Sequence, residues 1–334
     1  DGGVYHKLTN KGFDGVVMPH QASAERYVVQ KTTAAALDFA AVMAQGSRVF
    51  AAFEKQRPGL SARMLAASKA AWAWAQKNPG VIFKQPPDIH TGGYDDAQLD
   101  DEFAWAAAEL YTTTRDDHYL AAVKLAELPI EVPGWPEVGS LAWVTLAQHR
   151  QHLTPALDRA LVERRVTDYA TKLAAGWQAS PYRVAMRPRD FIWGSNSVAL
   201  NQALMLIQGY RLSGDRRQLD AAQAALDYVL GRNATGSSMV TGFGERSPMH
   251  PHHRPSGADG IAAPVPGFLV GGPHADQGDA KRCSVPYPSK APAQSWLDDF
   301  CSYTTNEVAI NWNAPLVYVS AALQALSETK AQRP

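Results

Sequence analysis

Residues 1–235 consist largely of Ala-rich stretches in which apolar side chains recur with the spacing of an α-helix. This periodicity predicts helices over residues 28–53, 61–77, 101–114, 117–127, 139–150, 155–176, 196–213 and 216–231, and one more from Glu307 to about residue 327. Ser61 is the expected N-cap of the second helix. Successive helices joined by short links pack as antiparallel hairpins, so the sequence predicts an all-α protein. Few strand-like alternations compete, and no repeat of fixed period indicates a solenoid.

Composition narrows the range of partners. The chain has 334 residues, with 32 acidic and 32 basic side chains and a pI of about 7.3. Because a neutral surface offers no basic field, nucleic acid is not an expected partner. No apolar run approaches the ~18 residues of a membrane-spanning helix, so no membrane partner is expected either. The first residues, Asp1-Gly2-Gly3, do not resemble a signal peptide.

One carboxylate stands out near the C-terminus, where an irregular stretch gives way to an apolar helix. It is Glu307, within the segment 302–313, and no Lys or Arg occurs within ten residues of it on either side. An apolar setting raises the pKa of a carboxyl group, which suits a general acid that must stay protonated near neutral pH. A Glu at the start of a helix more often complements the helix dipole, so the residues alone leave both interpretations open.

Two further segments carry distinctive residues. One is Pro251-His252-His253-Arg254-Pro255-Ser256, and the other is the start of the chain, Asp1-Gly2-Gly3-Val4-Tyr5-His6-Lys7. The histidines at 250, 252 and 253 allow a zinc site, although no Cys or acidic residue lies beside them in the sequence. The region 233–306 is rich in Pro, Gly and His, and so long an irregular stretch within a domain usually serves a function.

The segments 1–7, 251–256 and 302–313 resemble the signatures of glycoside hydrolase family 9, the inverting cellulases, and most closely the subset with an N-terminal immunoglobulin-like domain. The resemblance implies an (α/α)6 barrel of six helical hairpins, incomplete at its N-terminal end. Residues 1–334 would then form a catalytic domain that lacks its first barrel helices. It also implies hydrolysis of β-1,4-glycosidic bonds in cellulose-like glucans with inversion, and Glu307 as the general acid. The family's base belongs to an Asp-Ala-Gly-Asp motif that this sequence does not contain, so the base is expected to precede residue 1.

The resemblance also implies which residues contact the sugar. His252 and Arg254 would bind hydroxyl groups beside the cleaved bond, where a guanidinium offers several donors in a fixed geometry. His6 would line the non-reducing side of the cleft. The implied aromatic contacts are Trp312, Trp193 and, as a weaker stacking candidate, Trp135.

An acidic stretch, residues 94–102, precedes the third predicted helix. Clustered carboxylates suit Ca²⁺, although simple capping of the helix is an equal alternative from the residues alone. In the family, an Asp-Glu pair and main-chain carbonyls hold a structural calcium ion. Asp101 and Glu102 match that pair, and Glu137 is the candidate that completes the site. No organic cofactor is expected.

Two features near the acid concern its loop. The pair Asp298-Asp299 matches a family segment and is expected to organise the loop before Glu307. Cys283 and Cys301 flank a Pro-rich stretch of this loop and would form a disulfide in an oxidising compartment, with two free thiols as the alternative. The leading interpretation, a secreted or periplasmic enzyme, favours the disulfide.

Other functions stay open at this point. One is an exo-acting glucosidase or glucosaminidase of the same family, which the barrel resemblance does not separate from an endo-acting enzyme. Another is a catalytically inactive carbohydrate-binding fragment, because the Asp base is absent from the sequence. A third is a helical scaffold without a sugar site. The expected partner is a β-1,4-linked oligo- or polysaccharide, bound by a monomer.

Overall fold

The structure of the protein is a computed structural model that describes residues 1–331. The chain divides into two compact units, one formed by Asp1–Asp14 with Ser23–Val166 and the other by Gly15–Ala22 with the chain from Thr167 onwards. Residues 332–334 of the predicted catalytic domain lie outside the described residues. None of the helices within residues 1–331 combines the length and the apolar character needed to cross a membrane.

The first unit is mainly helical and contains one small antiparallel sheet. Its elements are β1 (Leu8–Thr9), β2 (Tyr27–Val28), α1 (Thr33–Phe50), α2 (Leu60–Lys77), α3 (Asp100–Thr114), α4 (His118–Ala121) and α5 (Gly139–Gln148). Helix α1 packs against α2 and α3, and α3 also packs against α4 and α5. Ala36, Ala40 and Ala44 are fully buried and recur every fourth residue on α1. Their small side chains on one face let the neighbouring helices approach closely.

The first predicted helix, residues 28–53, begins later than the periodicity indicates. Tyr27–Val28 forms β2, which pairs with Leu8–Thr9, because aromatic and β-branched side chains favour an extended backbone. Helix α1 starts at Thr33, and the Thr32 hydroxyl accepts a hydrogen bond from the Ala35 N–H at 3.3 Å. This side-chain cap satisfies one of the free N–H groups of the first turn and fixes the start of the helix.

Two other predicted helix boundaries are wrong. Gly59, with a φ of +68°, is the N-cap of α2, whereas the Ser61 hydroxyl lies inside the helix and donates to the Ser47 carbonyl at 2.8 Å. Ser61 therefore joins α2 to α1. The predicted helix 117–127 contains only α4 and a 3-10 turn at Leu125–Glu127. Their closing hydrogen bonds are of the i to i+3 type, which tightens the turns and ends the helix.

Helix α6 (Arg159–Ala179) continues from the first unit into the second. The second unit then contains α7 (Ser195–Ser213), α8 (Arg216–Val229), α9 (Arg254–Ala258), α10 (Tyr303–Asn306) and α11 (Ile310–Ala331). Helix α7 packs against both α8 and α11 and buries Leu200, Leu206 and Ile207 completely. Helices α10 and α11 lie immediately before and after the segment that carries Glu307.

Residues 230–302 are mostly irregular, as the Pro, Gly and His content predicts. Isolated backbone bridges connect this region to itself and to the segment after α10. The bridged pairs are Val240 with Leu269, His252 with Glu307, and Val270 with Val308. Cys283 and Cys301 form a disulfide, with their Cα atoms 5.2 Å apart. An otherwise irregular stretch is thereby fixed at several points around Glu307.

Candidate active site

Glu307 follows directly after α10 in an extended conformation. Its own carbonyl accepts a hydrogen bond from the Gly271 N–H at 2.9 Å, and the carbonyl of Asn306 accepts one from the His252 N–H at 2.8 Å. The carbonyl of Thr305 accepts a third from the Gly272 N–H at 2.8 Å. Two separate loop segments therefore hold the backbone on which the acid is carried.

Burial raises the pKa of the Glu307 carboxyl group above its ordinary value of 4.5. A hydrogen bond from the Trp193 side chain and the nearby positive charge of Arg254 act in the opposite direction, but burial prevails. A carboxyl group with a raised pKa keeps its proton at a higher pH and can deliver it to a leaving group. The site thus combines a partly buried acid, an indole donor and a guanidinium within the second unit.

His252 lies beside the acid in a defined tautomer. Its Nδ1 is 2.6 Å from the Phe300 carbonyl, which can only accept, so Nδ1 carries the proton. The ring also packs on the rings of Phe300 and Tyr303, with centroids 4.5 and 6.0 Å away. Burial lowers the pKa of His252, which keeps the imidazole neutral. A neutral ring with a proton on Nδ1 has Nε2 as an acceptor for a hydroxyl group.

The neighbouring His253 has a different task. Its Nδ1 accepts a hydrogen bond from the Ser256 N–H at 3.3 Å and caps α9, the helix that begins with Arg254. Across residues 1–331, no three His, Cys, Asp or Glu side chains are grouped so that they could share a metal ion. The histidine-rich stretch therefore contains a candidate sugar ligand, His252, and a helix cap, His253. The structure gives the zinc alternative no support.

Two predicted aromatic contacts differ in their exposure. Trp193 is 45% exposed, with its ring centroid 5.4 Å from that of Tyr303, so it presents a face beside the acid. Trp312 is only 9% exposed and packs beneath Gly194, where a Cβ would lie 2.6 Å from the indole nitrogen. Because its faces are covered, Trp312 supports the turn that carries Trp193. The predicted contact of Trp312 with the substrate stays a prediction.

His6 and Trp135 belong to the first unit. Both ring nitrogens of His6 contact protein groups, the Thr32 hydroxyl at 3.1 Å and the Gly93 carbonyl at 2.9 Å, and the ring stacks on Phe83 at 4.0 Å. His6 therefore connects β1's end of the chain to the loop around Gly93, and its predicted place on the non-reducing side of the cleft stays a prediction. Trp135 is 51% exposed and meets Tyr94 edge to face at 5.7 Å, so its stacking role stays a prediction.

The predicted calcium residues lie among other carboxylates in the first unit. Glu102 is buried and its Oε2 has no hydrogen-bond partner, and burial together with the adjacent Asp101 raises its pKa to about 10. Asp101 accepts a hydrogen bond from the Val138 N–H at 2.8 Å. Burial, and then the charges of Glu131 and Asp101, also raise the pKa of Glu137. A cation would relieve this repulsion.

Sequence reasoning missed one carboxylate here, Asp38, and did not single out Asp96 within the acidic stretch 94–102. Burial and the charges of Asp101 and Asp96 raise the pKa of Asp38 to about 7, and Asp38 Oδ1 and Asp96 Oδ2 are buried without a hydrogen-bond partner. Asp38 is on α1, where a single acid among mostly apolar residues was the available signal. Unsatisfied buried oxygens are the donor chemistry that Ca²⁺ requires, so the residues present fit the ion.

The acidic pair before the acid has the expected organising role. The Asp298 carboxylate accepts hydrogen bonds from the N–H groups of Met249 and His250, at 2.8 and 2.9 Å, and from the Asn306 side chain at 3.0 Å. It thereby connects the histidine-bearing loop to the residue before Glu307. Four of the predicted site residues, Glu307, His252, Arg254 and Trp193, lie in the second unit.

Comparison with known proteins agrees with this geometry. The profile of Glycosyl hydrolase family 9 matches residues 1–320. The xyloglucan-specific endo-beta-1,4-glucanase BoGH9A from Bacteroides ovatus is 44% identical over 341 residues, which cover 98% of this chain and 57% of that protein. Endoglucanase D from Acetivibrio thermocellus is 32% identical over 326 residues, covering 96% of this chain and 49% of that protein. The chain thus spans about half the length of these relatives.

Solved structures show the same likeness. The Bacteroides ovatus GH9 structure superposes with a TM-score of 0.89 at 43% identity, covering 98% of this chain and 59% of that one. AaCel9A in complex with a cellobiose-like isofagomine gives a TM-score of 0.88 at 35% identity, covering 97% and 61%. These neighbours are (α/α)6 barrel enzymes, which confirms the predicted fold class. With the family profile matched over nearly the whole sequence, the chain belongs to glycosyl hydrolase family 9.

Proposed function

We propose that the protein hydrolyses β-1,4-glycosidic bonds in glucans with inversion of the anomeric configuration, with Glu307 as the general acid. The observation that carries this proposal is that Glu307 is partly buried, is bridged through the backbone to His252, and lies beside the exposed Trp193; burial also raises its pKa. A protonated carboxyl group beside an aromatic face is suited to protonate the oxygen of a sugar stacked on that face. The family membership of the chain supports the same reaction.

The roles of the neighbouring residues follow from their chemistry. Trp193 offers a face on which a pyranose can pack, and Arg254 offers several donors to hydroxyl groups. Nε2 of His252 can accept a hydrogen bond from a sugar hydroxyl, because the proton of the ring is on Nδ1, which donates to the Phe300 carbonyl. An inverting reaction also needs a carboxylate base about 6.5–9.5 Å from the acid to activate water. No residue of this sequence is assigned that role, since the family's Asp-Ala-Gly-Asp motif does not occur in it.

Incubation with cellotetraose, followed by NMR of the anomer first released, tests the proposal. Release of the α-anomer from a β-linked substrate is the expected result, and it would require that a carboxylate within residues 1–334 accepts the proton of the attacking water. Release of the β-anomer would contradict an inverting mechanism. Absence of hydrolysis combined with a sugar-dependent rise in melting temperature would favour the catalytically inactive binding protein, and absence of both effects would favour the helical scaffold.

Xyloglucan is a second candidate substrate, because the relative that is 44% identical is named as a xyloglucan-specific enzyme. A branched glucan shares its β-1,4-linked backbone with cellulose, so the acid would act in the same way. Comparing kcat/KM for cellotetraose with that for a xyloglucan oligosaccharide of the same backbone length distinguishes the two. A ratio above about ten in favour of the branched substrate would assign the specificity to xyloglucan.

The charges around the acid argue against a glucosaminidase. Arg254 lowers the pKa of Glu307 through its charge, and the Arg282 guanidinium lies 5.5 Å from the centre of the Tyr303 ring, which borders Trp193. The positive charge of Arg254 near the acid disfavours the ammonium group of a glucosamine residue. Chitosan oligosaccharides should therefore bind less tightly than cello-oligosaccharides of equal length. Tighter binding of chitosan oligosaccharides would instead favour the exo-acting glucosaminidase alternative.

We also propose a structural Ca²⁺ held by Asp101 and Glu102. Within residues 1–331 the third predicted ligand, Glu137, is not placed to share one ion with both of them. The unpartnered Oε2 of the buried Glu102 and the raised pKa values around it support an ion at this position. Because no three acidic side chains of the described part of the chain are grouped to share one ion, main-chain oxygens would complete the site. The ion would neutralise the acidic cluster and take no part in bond cleavage.

A secreted or periplasmic location and a monomeric state complete the proposal. The Cys283–Cys301 disulfide supports the location, since disulfides persist mainly in oxidising compartments. Fractionation of the producing cells tests the location, and light scattering on the purified protein tests the monomer. Recovery in a reducing compartment with both thiols free would contradict the location.

A further inference from the structure

Two residues that contact α10, Asp279 and Tyr287, have no part in the proposed chemistry. We propose that Asp279 and Tyr287 are positioning residues for the general acid, because they hold the single helical turn that ends at Glu307. The inference rests on the proposed function of Glu307. The two residues act through the backbone of residues 302–306 and not on the sugar.

Asp279 is completely buried, and each of its carboxylate oxygens has a neutral donor. Oδ1 accepts a hydrogen bond from the Tyr287 hydroxyl at 2.6 Å, and Oδ2 accepts one from the Thr304 N–H at 2.7 Å. Thr304 is the second residue of α10, so its N–H has no partner within that helix. Asp279 therefore caps this turn from 25 positions earlier in the chain.

Helix α10 depends on such support because it has only four residues. A single turn loses more conformational entropy than its few internal hydrogen bonds return. The residue at its N-cap position, Ser302, makes no side-chain cap to the helix. A hydrogen bond to a charged acceptor is about twice as strong as one between neutral groups, and a buried carboxylate is costly unless its oxygens are bonded. Asp279 is thus the contact best suited to fix the start of α10.

Tyr287 connects Asp279 to the rest of the turn. Its hydroxyl lies 2.7 Å from Ser302 Oγ, and Ser302 Oγ lies 2.5 Å from Thr305 Oγ1. Ser302 and Thr305 are both completely buried, so this row of hydroxyl groups is shielded from water. Tyr287 itself lies within the stretch closed by the Cys283–Cys301 disulfide, which limits its movement. The network therefore extends from Asp279 to the residue two positions before the acid.

The C-terminal end of α10 is hydrogen bonded to the loops that form the site. The carbonyls of Thr305 and Asn306 accept hydrogen bonds from Gly272 and His252, both at 2.8 Å. A shift of α10 would break this pairing and would move Glu307 relative to His252 and Trp193. Displacing a catalytic group by about 1 Å can lower the rate by about 100-fold. The predicted effect of the network is thus on proton delivery.

Two substrates with different needs for a proton test this role in the intact enzyme. The sugar that leaves from cellotetraose must be protonated, whereas 2,4-dinitrophenolate leaves from its β-cellobioside without a proton. Asp279→Asn should lower kcat on cellotetraose at least about 10-fold, and kcat on the aryl glycoside less than about twofold, with KM little changed. Tyr287→Phe, which keeps the ring and removes only the hydroxyl, should give the same selective loss at about threefold. A residue that serves stability alone would lower both rates equally.

A second readout does not depend on turnover. The ¹³C carboxyl resonance of Glu307, assigned with Glu307→Gln, should titrate at a lower pH in both variants, because a loosened turn admits water to the carboxyl group. Asp276→Asn is the matched control, since its carboxylate belongs to the same loop and is 87% exposed. It should leave both readouts at their wild-type values.

The outcomes separate the two proposals. Equal losses on both substrates, or an unchanged Glu307 titration in both variants, would overturn the positioning role while leaving the acid assignment intact. Failure of the wild-type enzyme to hydrolyse either substrate would contradict the proposed function, and the titration would then decide the positioning role. If Asp279→Asn does not fold, Tyr287→Phe decides it.

Discussion

His252 and Glu307 form a parallel backbone bridge, in which the His252 N–H donates a 2.8 Å hydrogen bond to the carbonyl immediately before Glu307. A candidate sugar ligand and the candidate acid are therefore in register through the main chain, although 55 positions separate them in the sequence. Because a bridge fixes backbone positions better than a contact between flexible side chains, the distance between the two groups is set before any sugar binds.

Replacing Glu307 by Gln should abolish turnover of cellotetraose and spare its binding. The amide keeps the shape of the side chain but has no acidic proton, and general acid catalysis contributes about 10²–10⁴-fold to the rate. Single-turnover hydrolysis and isothermal titration with cellotetraose measure the two effects. The control is 2,4-dinitrophenyl β-cellobioside, whose hydrolysis should be far less affected. Normal turnover of cellotetraose in this variant would contradict the assignment of Glu307 as the acid.

Replacing Trp193 by Phe should move the alkaline limb of the pH profile to higher pH. The acid must be protonated, so activity is present below the pKa of Glu307 and is lost as the pH rises through it. Burial raises this pKa above 4.5, and the hydrogen bond from Trp193 lowers it again in part. Phe keeps an aromatic face and removes the donor, so the pKa rises further. The measurement is kcat/KM against pH.

A matched control for this shift is Trp135→Phe, because Trp135 is similarly exposed and belongs to the other unit. It should leave the alkaline limb where the wild-type enzyme has it. If the limb of Trp193→Phe does not move, the indole has no influence on the pKa of Glu307. A limb that moves to lower pH would contradict the predicted direction of that influence.

Removal of calcium should lower the melting temperature of the wild-type protein. At a concentration 100 times its Kd, a ligand adds about 2.7 kcal/mol to the free energy of unfolding, which corresponds to about 4 °C for a chain of this size. Glu102→Gln should lose this response. It should also be more stable than the wild-type protein in EGTA, because the wild-type carboxyl group must take up a proton to be buried, whereas the amide needs none. Thermal scans with Ca²⁺ and with EGTA measure both effects.

Asp100→Asn is the control for the calcium prediction. Asp100 is the acid directly before the pair, and it is exposed in the first turn of α3. The rise in melting temperature that Ca²⁺ causes in the Asp100→Asn variant should equal that of the wild-type protein. A calcium response that persists in Glu102→Gln would remove Glu102 from the site.

The sequence predicted those parts of the site that are encoded locally. The helices follow from periodicity, and Glu307 is recognisable from its neighbours in the segment 302–313. The partners of α10 are not encoded locally. Asp279 and Tyr287 contact it from an irregular loop, where no hydrophobic periodicity predicts which residues are in contact. For the same reason the sequence did not show that the two ring nitrogens of His6 are hydrogen bonded to Thr32 and Gly93, which are 26 and 87 positions away.

The Cys283–Cys301 disulfide should stabilise the loop behind the acid more than the helices. Closing a loop of 18 positions restricts the unfolded chain, which is worth about 3 kcal/mol. The double variant Cys283→Ser with Cys301→Ser should therefore melt at a lower temperature. Its amide hydrogens should exchange faster in residues 283–306, because Tyr287 loses its anchor, while those of α7 and α8 stay protected. Uniformly faster exchange across the second unit would contradict a local role and would mean that the bond stabilises the unit as a whole.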